Sequence, residues 1–217
     1  MALNLSSDRH KFYSFWLVGI CVAFFLVQLA SESFTELFVL NERAFVEPWR
    51  FVTSVFLHGG LGHLLYNMFA LALFGSMLER LVGGRRLLLI FFVTGIGANL
   101  VSIFFYPSSL GASGAIFGVI GALVIIRPTL VVWAFGLPMP LFIAGILWVA
   151  GDVIGAASYL TGSPIDNTGN IAHLSGIGLG FVFGLFYRSW SARSQSRERI
   201  SIHEDSMRQW EDRWMRG

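Results

Sequence analysis

Pro107-Ser-Ser-Leu-Gly-Ala-Ser113-Gly-Ala-Ile-Phe-Gly-Val-Ile-Gly-Ala-Leu-Val-Ile-Ile126-Arg127 is the stretch that decides the fold. Its apolar run, Ser113–Ile126, is shorter than the ~20 helical residues needed to cross a hydrocarbon core about 30 Å thick. The surrounding chain nevertheless belongs in lipid. It is 55% hydrophobic and 13% charged, with a mean hydropathy of +0.67, against about 45–50% apolar and 25% charged for a soluble domain. The turn Pro107–Ala112 must therefore dip below the membrane surface. Lipid tolerates that only where the backbone is enclosed by protein or lines an aqueous cavity.

Working outward, five longer apolar runs surround this one: Phe12–Ala30, Leu61–Leu78, Leu87–Tyr106, Pro140–Tyr159 and Ile171–Tyr187. The expected fold is an all-α polytopic membrane protein of six transmembrane helices, with the short fourth helix enclosed by the others. Phe12–Ala30 exceeds the 7–15 residues of a signal-peptide core and is read as a retained first helix. One membrane domain is expected over residues 1–188, with spans at 12–30, 61–78, 87–106, 113–126, 140–159 and 171–187. A charged tail, 189–217, follows it. The connections Ser31–Gly60 and Thr129–Pro138 are apolar enough to lie partly in the membrane interface.

Lys and Arg are distributed unevenly when alternate connections are placed on alternate sides. Arg9, Lys11, Arg80, Arg85, Arg86, Arg127 and the seven tail arginines share one side, against Arg43 and Arg50 on the other. That asymmetry puts both termini in the cytoplasm of a multi-pass protein, expected in a prokaryotic cell membrane. The tail interleaves its arginines with Glu198, Glu204, Asp205, Glu211 and Asp212, so no dense basic patch for nucleic acid exists. Ile200, His203, Met207, Trp210 and Trp214 have heptad-like spacing, which suits an amphipathic helix on the membrane, on a partner or simply in solvent. Cys21, alone in an apolar run, reads as a small hydrophobe.

Polar side chains inside spans are expensive and mark candidate sites. They are His63, Asn67, Asn99, Ser113, Asp152 and His173. Counted from the inner arginines at about 1.5 Å per residue, Ser113, His173, Asn67 and His63 all stand roughly 20–25 Å from the inner interface. Ser113 opens a helix, where free N–H groups and the dipole favour developing negative charge. Gly114 and Gly118 on one run and Gly176, Gly180 and Gly184 on another offer matching close-packing faces. Packing them would bring His173 within reach of Ser113, as general base to nucleophile. The plainer alternatives are an N-cap serine and a hydrogen-bonded packing histidine. The five-residue spacing of His58 and His63 suits no metal motif.

At these residues the sequence resembles the rhomboid family of intramembrane serine proteases. His58-Gly-Gly-Leu-Gly-His63-Leu-Leu-Tyr-Asn67 is similar to the family's HxxxxHxxxN, Gly111-Ala-Ser113-Gly114 to its GxSG, and Ala172-His173-Leu-Ser-Gly176 to its AHxxG. Trp49-Arg50 resembles the WR pair of its first outer loop, and Glu79-Arg80 an acid–base pair after the second helix. The resemblance implies a rhomboid-like six-helix fold and a dyad of Ser113 and His173 acting through an acyl-enzyme. His63 and Asn67 would serve the oxyanion, His58 would be mainly structural, and no metal or cofactor would take part. Where the family often stacks a ring on its histidine, this chain has Phe117. A triad place for Asp152 stays open, because its estimated depth is similar to that of the dyad.

The expected function is serine endopeptidase cleavage of transmembrane segments in single-pass or other membrane proteins, with the lipid bilayer as medium and no soluble or nucleic-acid partner. A client-binding pseudoprotease and a small transporter are the alternatives from other classes. The intact Ser113 and His173 weigh against the first, and the lack of paired discontinuous helices against the second.

Overall fold

The computed structural model describes residues 12–166 and 168–214, and over 189–205 and at 208, 211 and 214 it describes the backbone alone. In chain order the elements are α1 (Tyr13–Ala30), α2 (Glu32–Phe38), β1 (Leu40–Asn41), α3 (Arg50–Thr53), α4 (Leu61–Val82), α5 (Gly84–Ser102), β2 (Ser108–Ser109), α6 (Ser113–Ile126), β3 (Val131–Ala134), β4 (Leu137–Pro140), α7 (Leu141–Leu160) and α8 (Asn170–Trp214). By length and composition, five helices can cross a membrane: α1, α4, α5, α7 and the Asn170–Arg188 part of α8. α6 is shorter. Ten of its fourteen residues are nevertheless buried, packed chiefly against α5 and α8.

Glycine sets how closely those three helices approach. A Cβ on Gly176 would collide with the carbonyl of Gly114, one on Gly180 with the carbonyl of Gly118, and one on Gly118 with Thr94 of α5. Gly184 continues the row, its Cβ position 2.9 Å from the Ala122 carbonyl. The two small-residue faces expected to meet do so. Where backbones touch, dispersion contacts replace those with lipid, and association needs no hydrophobic driving force.

Helix ends depart from the apolar runs where tertiary partners intervene. The third run ends as a helix at Ser102, not Tyr106, because β2 pairs with β1 of the loop between α1 and α4 (Leu40 with Ser109, Asn41 with Ser108). The last helix runs on without interruption to Trp214, since neither proline nor glycine follows Gly184 until Gly217. Arg9, Lys11 and the side chains of Ile200, His203 and Trp214 lie outside the described residues, while Met207 and Trp210 are exposed. Thr129–Pro138 forms most of the β3–β4 hairpin, which buries Val132 and Ala134 and exposes Val131, Trp133, Phe135 and Leu137.

Buried polar groups fasten the ends. Glu79 accepts from the Tyr13 and Ser14 amides at 2.7 and 3.0 Å and from the Ser14 hydroxyl at 2.8 Å, capping the start of α1. Arg50, 1% exposed, pairs with Glu47 and donates to the carbonyls of Glu36 and Val39. It gathers the loop between α1 and α4 into a folded cap.

The glycine contacts give a paired expectation. Gly176→Ala must push α8 off the Gly114 carbonyl and should cost about 1–3 kcal/mol as overpacking. Gly178→Ala, with nothing within 4 Å of its Cβ position, should be neutral or stabilising by up to about 1 kcal/mol through helix propensity. Thermal unfolding of the two variants in one detergent checks the difference.

Candidate active site

The site is built around the start of α6. Ala112 is the residue before the helix, so the Ser113, Gly114 and Ala115 amides begin it without intrahelical acceptors. The approach is made by Gly111 at φ +127°, a backbone conformation that L side chains rarely adopt. The Gly111 amide donates to the Ser54 carbonyl at 2.9 Å. Ser54 is itself held by Asn99, whose Nδ2 donates to the Ser54 Oγ at 2.9 Å and to the Phe51 carbonyl at 2.8 Å. The α1–α4 loop and α5 thereby fix the turn that presents Ser113.

His173 is carried to the same place by the glycine contact between α6 and α8. Its ring lies flat on Phe117, one turn after Ser113, with centroids 4.2 Å apart and planes 7° from parallel. On its other side, the imidazole Nδ1 donates to Asp152 Oδ1 of α7 at 3.0 Å. That assignment makes Nε2 the free acceptor of the neutral ring. Asp152 and His173 are 6% and 7% exposed.

α4 supplies two more groups. The Gly59 amide donates to His63 Nδ1 at 3.3 Å, which leaves the His63 Nε2–H as a donor. This nitrogen lies 3.0 Å, and the Ser113 Oγ 3.9 Å, from the point where a Gly111 Cβ would stand. Asn67 Nδ2 donates one hydrogen to the His63 carbonyl at 2.9 Å and keeps a second. Directly after Asn67 and Ala70, α4 widens into a π turn, Leu71–Gly75, a distortion frequent beside functional sites.

Ser113, His173, His63, Asn67, Gly111 and Gly114 all line one cavity of about 1530 Å³. Its wall includes Phe69 and Leu73 of α4 and Leu147 and Gly151 of α7, so it extends between these two spans. Of the remaining expected residues, Asn99 and Asp152 also line this cavity, and the others stand apart. Gly176 packs behind Ser113 against Gly114. Trp49 and Arg50 belong to the α1–α4 loop. His58 lies beneath His63 in an edge-to-face contact at 5.2 Å. Asn99 belongs to the support of the turn.

Sequence reading did not single out Tyr106, whose hydroxyl accepts from the Ile171 amide at 3.2 Å and whose ring packs on Tyr159 at 4.8 Å. An aromatic at a span end reads as an interfacial anchor, and no local signal marks it as a clamp on α8. Asn170, buried where α8 starts, bonds to Asp166 and Thr168 and fills the space over Gly155.

A serine at a helix start, a stacked histidine and amide and imidazole donors share one cavity of a polytopic helical protein. The Rhomboid domain family matches residues 46–190, and the chain belongs to the rhomboid family. It is an integral membrane protein. It is 31% identical over 176 residues to the rhomboid protease GlpG of Haemophilus influenzae, covering 77% of this chain and 86% of that one. Identity to the rhomboid protease GluP of Bacillus subtilis is 37% over 131 residues, 60% of this chain and 25% of that one. RHOMBOID-like protein 4 of Arabidopsis thaliana is 31% identical over 140 residues, 64% and 34% of the two chains. The chain thus spans about a quarter to a third of the length of these last two relatives.

His58 gives the site a pH signature. Burial, and then the neighbouring His63, pulls its imidazole down from 6.5 to about 4, against a smaller upward pull from the Phe56 carbonyl. Between these values the unfolded chain binds the proton and the folded chain does not. Stability contributed by neutral His58 is therefore present above pH 6.5 and is lost as pH falls toward 4. Thermal unfolding across this range should show a steeper acid decline for wild type than for His58→Asn; parallel curves would remove the assignment.

Proposed function

We propose that this chain is an intramembrane serine endopeptidase that cleaves transmembrane segments of other membrane proteins. The observation that carries the reading is the cavity holding Ser113 at the start of α6 with His173 stacked one turn away. The Ser113 Oγ attacks the scissile carbonyl while His173 Nε2 takes its proton. The oxyanion forms against the free amides at the α6 N-terminus, the His63 Nε2–H and the second Asn67 hydrogen. The same histidine then returns the proton to the leaving amine, giving an acyl-enzyme, and water entering the cavity hydrolyses the ester.

Six crossings complete the fold, with α6 as the short, enclosed one and residues 1–188 as the protease domain before a cytoplasmic tail. A substrate helix reaches the site between α4 and α7, and it must unwind locally, because a hydrogen-bonded helix hides its carbonyls from attack. Both termini are cytoplasmic, following the charge asymmetry.

A serine-directed fluorophosphonate should label wild type and not Ser113→Ala, and Ser113→Ala or His173→Ala should abolish cleavage of a transmembrane substrate. His63→Ala and Asn67→Ala should each retain residual turnover, with kcat lowered on the order of 10²–10³-fold, the usual cost of one oxyanion donor. Equal labelling of wild type and Ser113→Ala removes the protease reading and leaves a client-binding one. Folded His63→Ala and Asn67→Ala variants that both cleave at the wild-type rate remove the oxyanion assignment.

Orientation has its own check. In a Cys21→Ser background, single cysteines at Ser109 and Asp166 should react with an impermeant thiol reagent on intact cells, and cysteines at Arg86 and Arg188 should not. Outside labelling at Arg188 reverses the topology.

A further inference from the structure

We propose that Asp152 is a positioning residue for His173, so that the reaction runs on a serine–histidine–aspartate arrangement and not on a dyad alone; this rests on the protease reading above. Three observations carry it. Asp152 Oδ1 accepts from His173 Nδ1 at 3.0 Å, across two different helices. Both groups are more than nine-tenths buried beside the cavity that holds Ser113. The other carboxylate oxygen, Oδ2, is buried with no hydrogen-bond partner among the described residues.

The last point separates this carboxylate from a structural one. Glu79, the other buried acid in the spans, collects three donors at the start of α1 and is a cap. Among the described residues Asp152 makes one side-chain bond, to the imidazole, and none compensates its second oxygen. A buried carboxylate so poorly satisfied is a poor fastener. It is well matched to a partner whose charge appears during the reaction.

That charge appears on His173. As the Ser113 Oγ bonds to the carbonyl carbon, its proton moves to His173 Nε2, and the ring becomes a cation with protons on both nitrogens. The Nδ1 proton stays where it is. Asp152 holds the ring as the Nδ1–H tautomer beforehand and stabilises the imidazolium afterwards, without taking the proton itself. Phe117 fixes the plane of the ring by stacking, which leaves the half-turn flip about the Cβ–Cγ bond free. The Asp152 bond removes that freedom and aims Nε2 away from α7.

The test compares Asp152→Asn with wild type, both purified in detergent and shown folded by thermal unfolding. The amide keeps the size but can donate to Nδ1 and so favours the wrong tautomer. A transmembrane substrate should then be cleaved with kcat lowered 10²–10⁴-fold and KM within about twofold, because the lost interaction strengthens only as the imidazolium forms. Unchanged kcat in Asp152→Asn, or a raised KM with kcat preserved, overturns the positioning role while the protease reading stands. If wild type itself neither cleaves nor takes the fluorophosphonate, it is the protease reading that fails. Should Asp152→Asn not fold, nitrogen-15 spectra of histidine-labelled wild type, assigned with His173→Ala, decide the matter. A neutral His173 protonated on Nδ1 is expected, and one protonated on Nε2 overturns the proposal.

Discussion

The contact between the backbones of α6 and α8 is the constraint on which the rest of the structure depends. Gly114 and Gly118 meet Gly176 and Gly180 so closely that no side chain fits between them. In lipid, two helices gain little from hiding apolar surface from each other, and close approach is what makes their association favourable. The same approach sets the site. Ser113 precedes Gly114 by one residue and His173 precedes Gly176 by three, so the registration of the glycines is also the registration of Ser113 and His173. Stacking of His173 on Phe117 and of Gly118 on Thr94 extends that precision to the side chains and to α5.

Around this contact, polar groups are placed where a bilayer would otherwise penalise them, and each has a defined job. Thr94 returns its hydroxyl to the Ile90 carbonyl at 2.7 Å within its own helix. Asn99 reaches out of α5 to Ser54, and Ser54 receives the Gly111 amide. Arg50 anchors the α1–α4 loop through two carbonyls. These links form a continuous support from that loop to the turn before Ser113. That support is needed because the turn contains a glycine at φ +127° and exposes amides that lipid could not satisfy.

How much of this was legible in the residues varied with the kind of force involved. Apolar runs locate helices well, because hydrophobic length is a one-dimensional property, and Ser113–Ile126 could be read to the residue. The glycine spacing also announced the α6–α8 face, since residues four apart share a helix side. Helix ends were less readable. Ser102 ends α5 because a strand of the distant α1–α4 loop captures Ser108 and Ser109, and nothing near Tyr106 signals that. The β3–β4 hairpin was hidden by its two prolines, although Val131–Ala134 alternates exposed and buried as a strand should. The bond from Asp152 to His173 was least legible: depth along a helix can be counted, but rotation about its axis depends on packing with several neighbours.

That rotation is also why the site works as an ensemble of helices and not as a motif. α4 brings His63 and Asn67, α6 brings Ser113, α7 brings Asp152 and α8 brings His173. No two of these elements adjoin in sequence without a loop between them. In water such a constellation would need a rigid core of interlocking side chains. Here the hydrocarbon supplies no competing hydrogen bonds, so a donor and acceptor that meet across helices have few alternative partners. The cavity walled by α4 and α7 interrupts this order. Of the five helices long enough to cross a membrane, α1 is the least buried at 22% and α7 the next at 33%, against 44% for α4, α5 and α8. The Asp152 bond to His173 thus links the more loosely packed α7 to the tightly packed α6–α8 pair.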